Sequence, residues 1–232
     1  MKLNSSQLKI IAMLTMLIDH VGAVLFPQYI ILRIIGRIAF FIFAFELVEG
    51  YFHTSNVGNY VLRLILFGIV SEFSFDFAFN GSMTFTHQNV MFELALALIM
   101  IWLLEIYKDY SSQILRWIFS VLVVFITMFI SEVLKFDYSS FGIMMVLVFY
   151  LTRNMNFKWY FQLVMLFIIN VYIMPVYNIP VAGIKVPIQA FGLISLVFIG
   201  LYNGEKGKIN KYLVYSFYPI HLLILGLISY FN

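Results

Sequence analysis

A histidine directly behind an aspartate, two arginines four residues apart and two carboxylates four residues apart all lie in long apolar stretches of this chain. They are Asp19 and His20, Arg33 and Arg37, and Glu72 and Asp76. Residues at i and i+4 share one face of a helix, so each spaced pair points one way. Imidazole changes charge near neutral pH and is the commonest side-chain base. A neighbouring carboxylate can orient such a ring, and a guanidinium can grip a phosphate or a developing oxyanion. His87, with Gln88 and Asn89 beside it and Glu93 shortly after, extends the set.

The elements that must carry these residues follow from composition. Of 232 residues, 63% are hydrophobic and 11% charged, against roughly 45–50% and about 25% in soluble domains. A single domain of this length cannot hide so much apolar surface from water, so lipid is the expected solvent. The net charge of +3 is spread between apolar blocks. That pattern suits headgroups rather than nucleic acid. Cysteine is absent, which excludes disulfides, thiolate nucleophiles and thiolate metal sites. The first apolar block lacks an A-x-A-like cleavage signal and reads as a retained helix.

A span needs about 20 mostly apolar residues. That rule predicts an all-α, polytopic bundle of about nine helices (eight to ten), at 8–26, 31–52, 57–79, 88–107, 112–131, 138–152, 156–174, 187–202 and 211–231. Turn chemistry separates them at Pro27, Asn80-Gly81-Ser82, Pro175 to Pro187 and Asn203-Gly204. With the N-terminus cytoplasmic, Lys2, Lys9, Arg63, Lys108, Arg116, Arg153, Lys158, Lys206, Lys208 and Lys211 fall inside. Only Lys135, Lys185, Arg33 and Arg37 fall on the outer side. This bias predicts N-terminus in and C-terminus out.

That topology puts Asp19, His20, Arg33, Arg37, Glu72, Asp76, His87 and Glu93 at one depth, on four consecutive spans and the loop before the fourth. One outward polar chamber is the expectation, because ionisable groups inside a membrane are retained for function. The plainer alternative is that Arg33 and Arg37 pair with Glu72 and Asp76 and tie the second and third spans together. At least one such ion pair is expected on either reading. A lone helical histidine is commonly a satisfied core residue, but His20 keeps the company of the whole polar set. His221, in Tyr218-Pro219-Ile220-His221, reads as bonded to a carbonyl that Pro219 frees. Glu46, Glu49 and His53 share a face at the inner end of the second span, where they are expected to partner Arg63 or headgroups. Their spacing matches no defined metal motif, so no metal is expected. The many Phe and Tyr residues read as lipid-facing surface and interfacial belt.

Several stretches resemble the TraX family in order along nearly the whole chain. They are Leu8 to Met13 running on to Leu17-Ile18-Asp19-His20-Val21-Gly22, then Arg33-Ile34-Ile35-Gly36-Arg37-Ile38-Ala39-Phe40 and Glu49-Gly50-Tyr51-Phe52-His53-Thr54. Ser71-Glu72 with Phe75-Asp76, His87-Gln88-Asn89-Val90 and Tyr218-Pro219-Ile220-His221 complete it, while 105 to 185 contributes little. The family is named for a protein that acetylates a pilin N-terminus, and it is similar to transmembrane acyltransferases of surface polysaccharides and heparan. The resemblance implies transfer of acetyl from cytoplasmic acetyl-CoA to an extracytoplasmic acceptor, a pilin N-terminus or an envelope glycan, teichoic acid or lipid-linked sugar. It implies His20 as base, supported by Asp19, Glu72 or Asp76, with His87 as the second candidate. Arg33 and Arg37 would hold an oxyanion or a phosphate of CoA or acceptor. An acyl-histidine intermediate is also open. A carrier or flippase built around the same chamber, or a non-catalytic assembly factor for a surface appendage, is the alternative.

Overall fold

The computed structural model describes residues 2–84, 86–109, 112–174, 177–181 and 184–231. The chain forms a helical bundle: α1 (Ser5–Val24), α2 (Ile30–Gly36), α3 (Ile38–His53), α4 (Val57–Asn80), α5 (Val90–Ile106), α6 (Gln113–Val133), α7 (Ser139–Thr152), α8 (Lys158–Ile168), α9 (Ser195–Gly200) and α10 (Lys211–Phe231). Helix starts follow capping chemistry. Asn4 and Gln7 form a reciprocal capping box, and Asn56 and Asn89 each accept from a backbone N–H of the following turn. Gly81 closes α4 in the left-handed conformation that glycine adopts freely.

Most expected spans correspond to one helix, with local departures. The second is divided at Arg37 into α2 and α3. The seventh continues from α8 through a π-helical turn at Ile169–Ile173. The eighth is a 3-10 turn (Ile188–Ile194) leading into short α9. Before it, the Pro175 to Pro187 break contains an antiparallel hairpin, β1 (Asn178–Val181) and β2 (Ile184–Pro187), with Asn178 opposite Pro187.

Successive connections alternate between two ends of the bundle. At one end Leu3 bridges to Tyr202, Ser5 and Ser6 N–H donate to Glu205 and Lys206 carbonyls, and Arg153 pairs with Glu49. At the other, Gln88 bridges to Phe136. The core sits where α1, α3, α5 and α7 meet, around Leu8, Phe41, Ile42, Leu98, Ile143 and Phe149. α4 packs along α10 and α5.

Among the described residues three helices, α1, α6 and α10, are long and apolar enough to cross a membrane. α4 is longer, but Arg63, Glu72 and Asp76 interrupt its apolar run. α6 buries only Val123, Thr127 and Ser131 and presents Ile114, Trp117, Val121, Phe125 and Phe129 outward. An apolar face of that extent is a lipid or protein contact, and the protein is a membrane protein on this composition.

Candidate functional site

The site begins at the hairpin of α1 and α2. Only five residues, 25–29, join the two helices, and Gly36 lets them close up, since a Cβ there would collide with the Asp19 carboxylate. Asp19 accepts from Arg33 Nη1 at 2.9 Å and from Arg37 Nη2 at 2.5 Å. Arg33 Nη1 also donates to the Asp19 carbonyl, and Arg37 Nε to the Arg33 carbonyl at 3.1 Å. Arg37 occupies the break between α2 and α3, so its side chain locks the break as well as the ion pair.

This corrects the expected pairing of both arginines with Glu72 and Asp76. Those carboxylates stand on α4, which faces α10 and α5 rather than α2. Glu72 instead accepts from the Asn89 side chain and backbone N–H, and Asn89 Nδ2 donates also to the Gly68 carbonyl at 2.8 Å. Asp76 accepts from Asn80, from Thr84 N–H at 2.8 Å and from the Thr84 hydroxyl. Both carboxylates brace the turn between α4 and α5.

His20 is half-buried and its Nδ1 lies 2.7 Å from Nε2 of His221 on α10. Its partner is therefore a second histidine, not Asp19 or a carboxylate of α4 as expected. The reason is occupancy: Asp19 is held by two guanidinium groups, and α10 is the helix that reaches this depth beside α1. Arg33 and Arg37 remain within electrostatic reach of the His20 ring. His221 contacts the Phe217 carbonyl through Nδ1 at 2.6 Å. The carbonyl that Pro219 deprives of its donor is that of Tyr215, four residues back, so the expected rescue of a freed carbonyl is not what His221 does.

The expected single polar chamber is not a cavity among the described residues: neither cavity below is lined by any of this polar set. Two residues that spacing did not single out also lie at this end of the bundle. Asp137 and Tyr138 lie in the turn between α6 and α7; the Asp137 carboxylate acts electrostatically on Arg37, and Tyr138 stacks on Phe40 with centroids 3.9 Å apart. The Tyr138 N–H donates to Glu93 at 2.8 Å. Asp137 has an exposed side chain, yet protein crowds it closely. Poor hydration there pushes its carboxyl up to about 6, with Arg37 drawing it back. His87 is exposed at the rim and acts on Asp137. The alternation of connections was the available signal: it places the 134–138 turn at the end that holds His87.

Two cavities lie toward opposite ends of the bundle, and neither is lined by His20 or His221. One of about 370 Å³ opens at the end carrying His53, Lys206 and Lys211 and reaches inward along Lys9, Glu46 and Arg63 to Tyr218. Glu46 there accepts from Ser5 at 2.6 Å and Lys9 at 3.0 Å, while its Oε1 and Arg63 Nε are buried without partners among the described residues. Glu49 pairs with Arg153, not Arg63, and His53 Nδ1 lies 2.7 Å from the Glu49 carbonyl. The second cavity, about 400 Å³, lies at the opposite end between Ala23, Phe79, Gly81, Gly226 and Tyr230. His20 meets one lining ring of each: Tyr218 at 6.1 Å and Phe79 at 5.5 Å between centroids.

No solved structure matches the chain. A protein of Dichelobacter nodosus, described as a probable fimbrial assembly protein, FimC of serogroup H1, is 30% identical over 96% of this chain and 94% of its own length. An uncharacterized protein of Rickettsia prowazekii (strain Madrid E), RP591, is 32% identical over 33% of this chain and 29% of its own. The family of the TraX protein matches residues 4–229, which takes in every side chain described above and both cavities, and the chain belongs to the TraX family.

Proposed function

We propose that this protein is a multi-pass membrane acetyltransferase that moves an acetyl group from cytoplasmic acetyl-CoA to an acceptor on the far side. The observation that carries this reading is that His20 packs on Tyr218, which lines a cavity at one end, and on Phe79, which lines a cavity at the other. A transfer across a bilayer requires a base reachable by the donor from one side and by the acceptor from the other. The alternation of connections supports nine passes, and the basic bias of one end supports its cytoplasmic placement.

The rim of the cytoplasmic cavity, with Lys206 and Lys211, suits the phosphates of CoA, with Arg63 further in. The cavity's inward reach to Tyr218 suits the arm that ends in the thioester. This moves the phosphate-gripping role from Arg33 and Arg37, which Asp19 already occupies, to the opposite end. In the transfer step the acceptor hydroxyl or amine attacks the thioester carbonyl carbon. The new C–O or C–N bond forms, the C–S bond breaks, His20 Nε2 takes the acceptor proton and CoA leaves as thiolate, to be protonated in turn. Arg33, 30% exposed beyond its bonds to Asp19, would supply positive charge to the oxyanion.

The fimbrial assembly role in the Dichelobacter relative's name favours a pilin N-terminus as acceptor, with an envelope glycan as the other class. A carrier would use the same pair of cavities, and the two differ in outcome: only the enzyme leaves a covalent acetyl group. The test is radiolabelled acetyl-CoA supplied to the cytoplasmic face of membrane vesicles. Labelled product on the far side that depends on His20 supports the reading. Label that never crosses, or crosses equally with His20→Ala, overturns it.

A further inference from the structure

We propose that His221 is a positioning residue that fixes the tautomer of His20, through a proton chain that begins at a backbone carbonyl. The geometry leaves one arrangement for two neutral rings. The Phe217 carbonyl can only accept, so His221 Nδ1 at 2.6 Å must carry the hydrogen. A neutral imidazole with its proton on Nδ1 has a lone pair on Nε2, and that atom lies 2.7 Å from His20 Nδ1. His20 Nδ1–H therefore donates to His221. The lone pair of His20 is left on Nε2, which no hydrogen bond engages among the described residues.

The ring geometry fits a hydrogen bond rather than face-to-face stacking. The two planes are 4° from parallel, but the centroids are 4.9 Å apart while the nitrogens are 2.7 Å apart. Parallel rings lying one over the other would hold all their atoms beyond van der Waals separation. These two meet edge to edge, with the N–H aimed along its bond. His221 itself is buried by Phe217, whose ring lies 4.8 Å away, and by Tyr218 at 5.8 Å. Gly226, one turn further along α10, lets that helix close on α4, since a Cβ there would meet Phe77 and the Ala78 backbone.

The consequence for transfer rests on the acetyltransferase reading above. A base must present its lone pair to the acceptor, and a ring free to exchange tautomers would offer an N–H there part of the time. In a Ser–His–Asp triad a carboxylate enforces the tautomer. Here Asp19 is committed to Arg33 and Arg37, and a neutral histidine anchored on α10 takes that task. When His20 gains the acceptor proton, its Nδ1–H still donates to His221, so charge forms without breaking the chain.

Two measurements on the full-length protein in detergent test this, one independent of activity. Nitrogen NMR of the histidine-labelled protein, with His20 assigned from His20→Gln, should show neutral His20 protonated at Nδ1. In His221→Leu, which removes the acceptor, the proton should redistribute toward Nε2. His221→Gln offers an amide oxygen near the lost Nε2 and should restore the Nδ1 form. Acetyl transfer should follow: kcat down about 10²-fold in His221→Leu with KM little changed, and about tenfold recovered in His221→Gln. A wild-type His20 protonated at Nε2, or a tautomer and kcat unmoved by His221→Leu, overturns the proposal. Should the wild type transfer no acetyl group while the tautomers behave as described, the positioning role stands and the acetyltransferase reading falls.

Discussion

The two ends of the bundle handle charge in opposite ways. At the end holding the α1–α2 turn, one carboxylate faces two guanidinium groups, and Asp19, Arg33 and Arg37 satisfy one another at 2.5 to 2.9 Å. At the other end, Lys206, Lys211 and Arg63 line a cavity, and Glu46 Oε1 and Arg63 Nε are buried without partners among the described residues. A closed network is built to hold helices in place, because desolvated charges are tolerated only when matched. An open cationic cavity retains capacity for an anion from outside. Charge alone therefore does not identify a binding site, whereas unmet charge in a cavity is informative.

The contrast can be broken by mutation. The largest effect is expected at His20, the base we propose: His20→Ala should lower acetyl transfer by about 10²–10⁴-fold per folded molecule. His53→Ala should cost far less, as its ring lies at the exposed rim bonded to its own helix. Equal losses for both would remove His20 from its role. Next, Asp19→Asn leaves two guanidinium groups facing each other and should destabilise the fold by about 3–5 kcal/mol in detergent unfolding. Glu72→Gln should cost less, since Asn89 can still bond the amide oxygen. The reverse ranking would show that Asp19 is not the partner that matters.

Smaller effects sharpen the same distinction. Lys206→Gln or Lys211→Gln should raise the donor KM by about two- to fivefold each, the size of one exposed ion pair, and leave kcat alone. Added salt should mimic them. Donor binding that ignores both salt and these lysines would move the phosphate site elsewhere. The smallest effect belongs to Asp137. Its carboxyl is raised from 3.8 to about 6 in the folded protein, so the folded state holds the proton more tightly. Stability should then decline as pH rises through that window and level off above it. Asp137→Asn should abolish this slope in a Tm series, and an unchanged slope would assign it to another group.

Much of the arrangement was legible from residue order. Hydropathy placed α4 at 57–79 and α10 at 211–231, close to the observed helices, because a helix of apolar residues is a local consequence of composition and rise per residue. The polar residues could also be assigned to their helices and turns, since position along a helix follows from counting. Asp19 and Arg33 are separated by a short turn, yet the arginines were assigned to Glu72 and Asp76. Spacing alone cannot say which helix a face meets. The Asp19 pairing, the approach of His221 to His20 and the arrival of Asp137 from a distant turn all depend on which helices pack together. That choice is made by close contact at positions such as Gly36 and Gly226, summed over the whole bundle. The chain by itself determined most of the helices and which polar residues each carries. Only the tertiary structure decided the partners, because a side chain's neighbour across a helix interface is set by rotation and approach, and neither is encoded in any single segment.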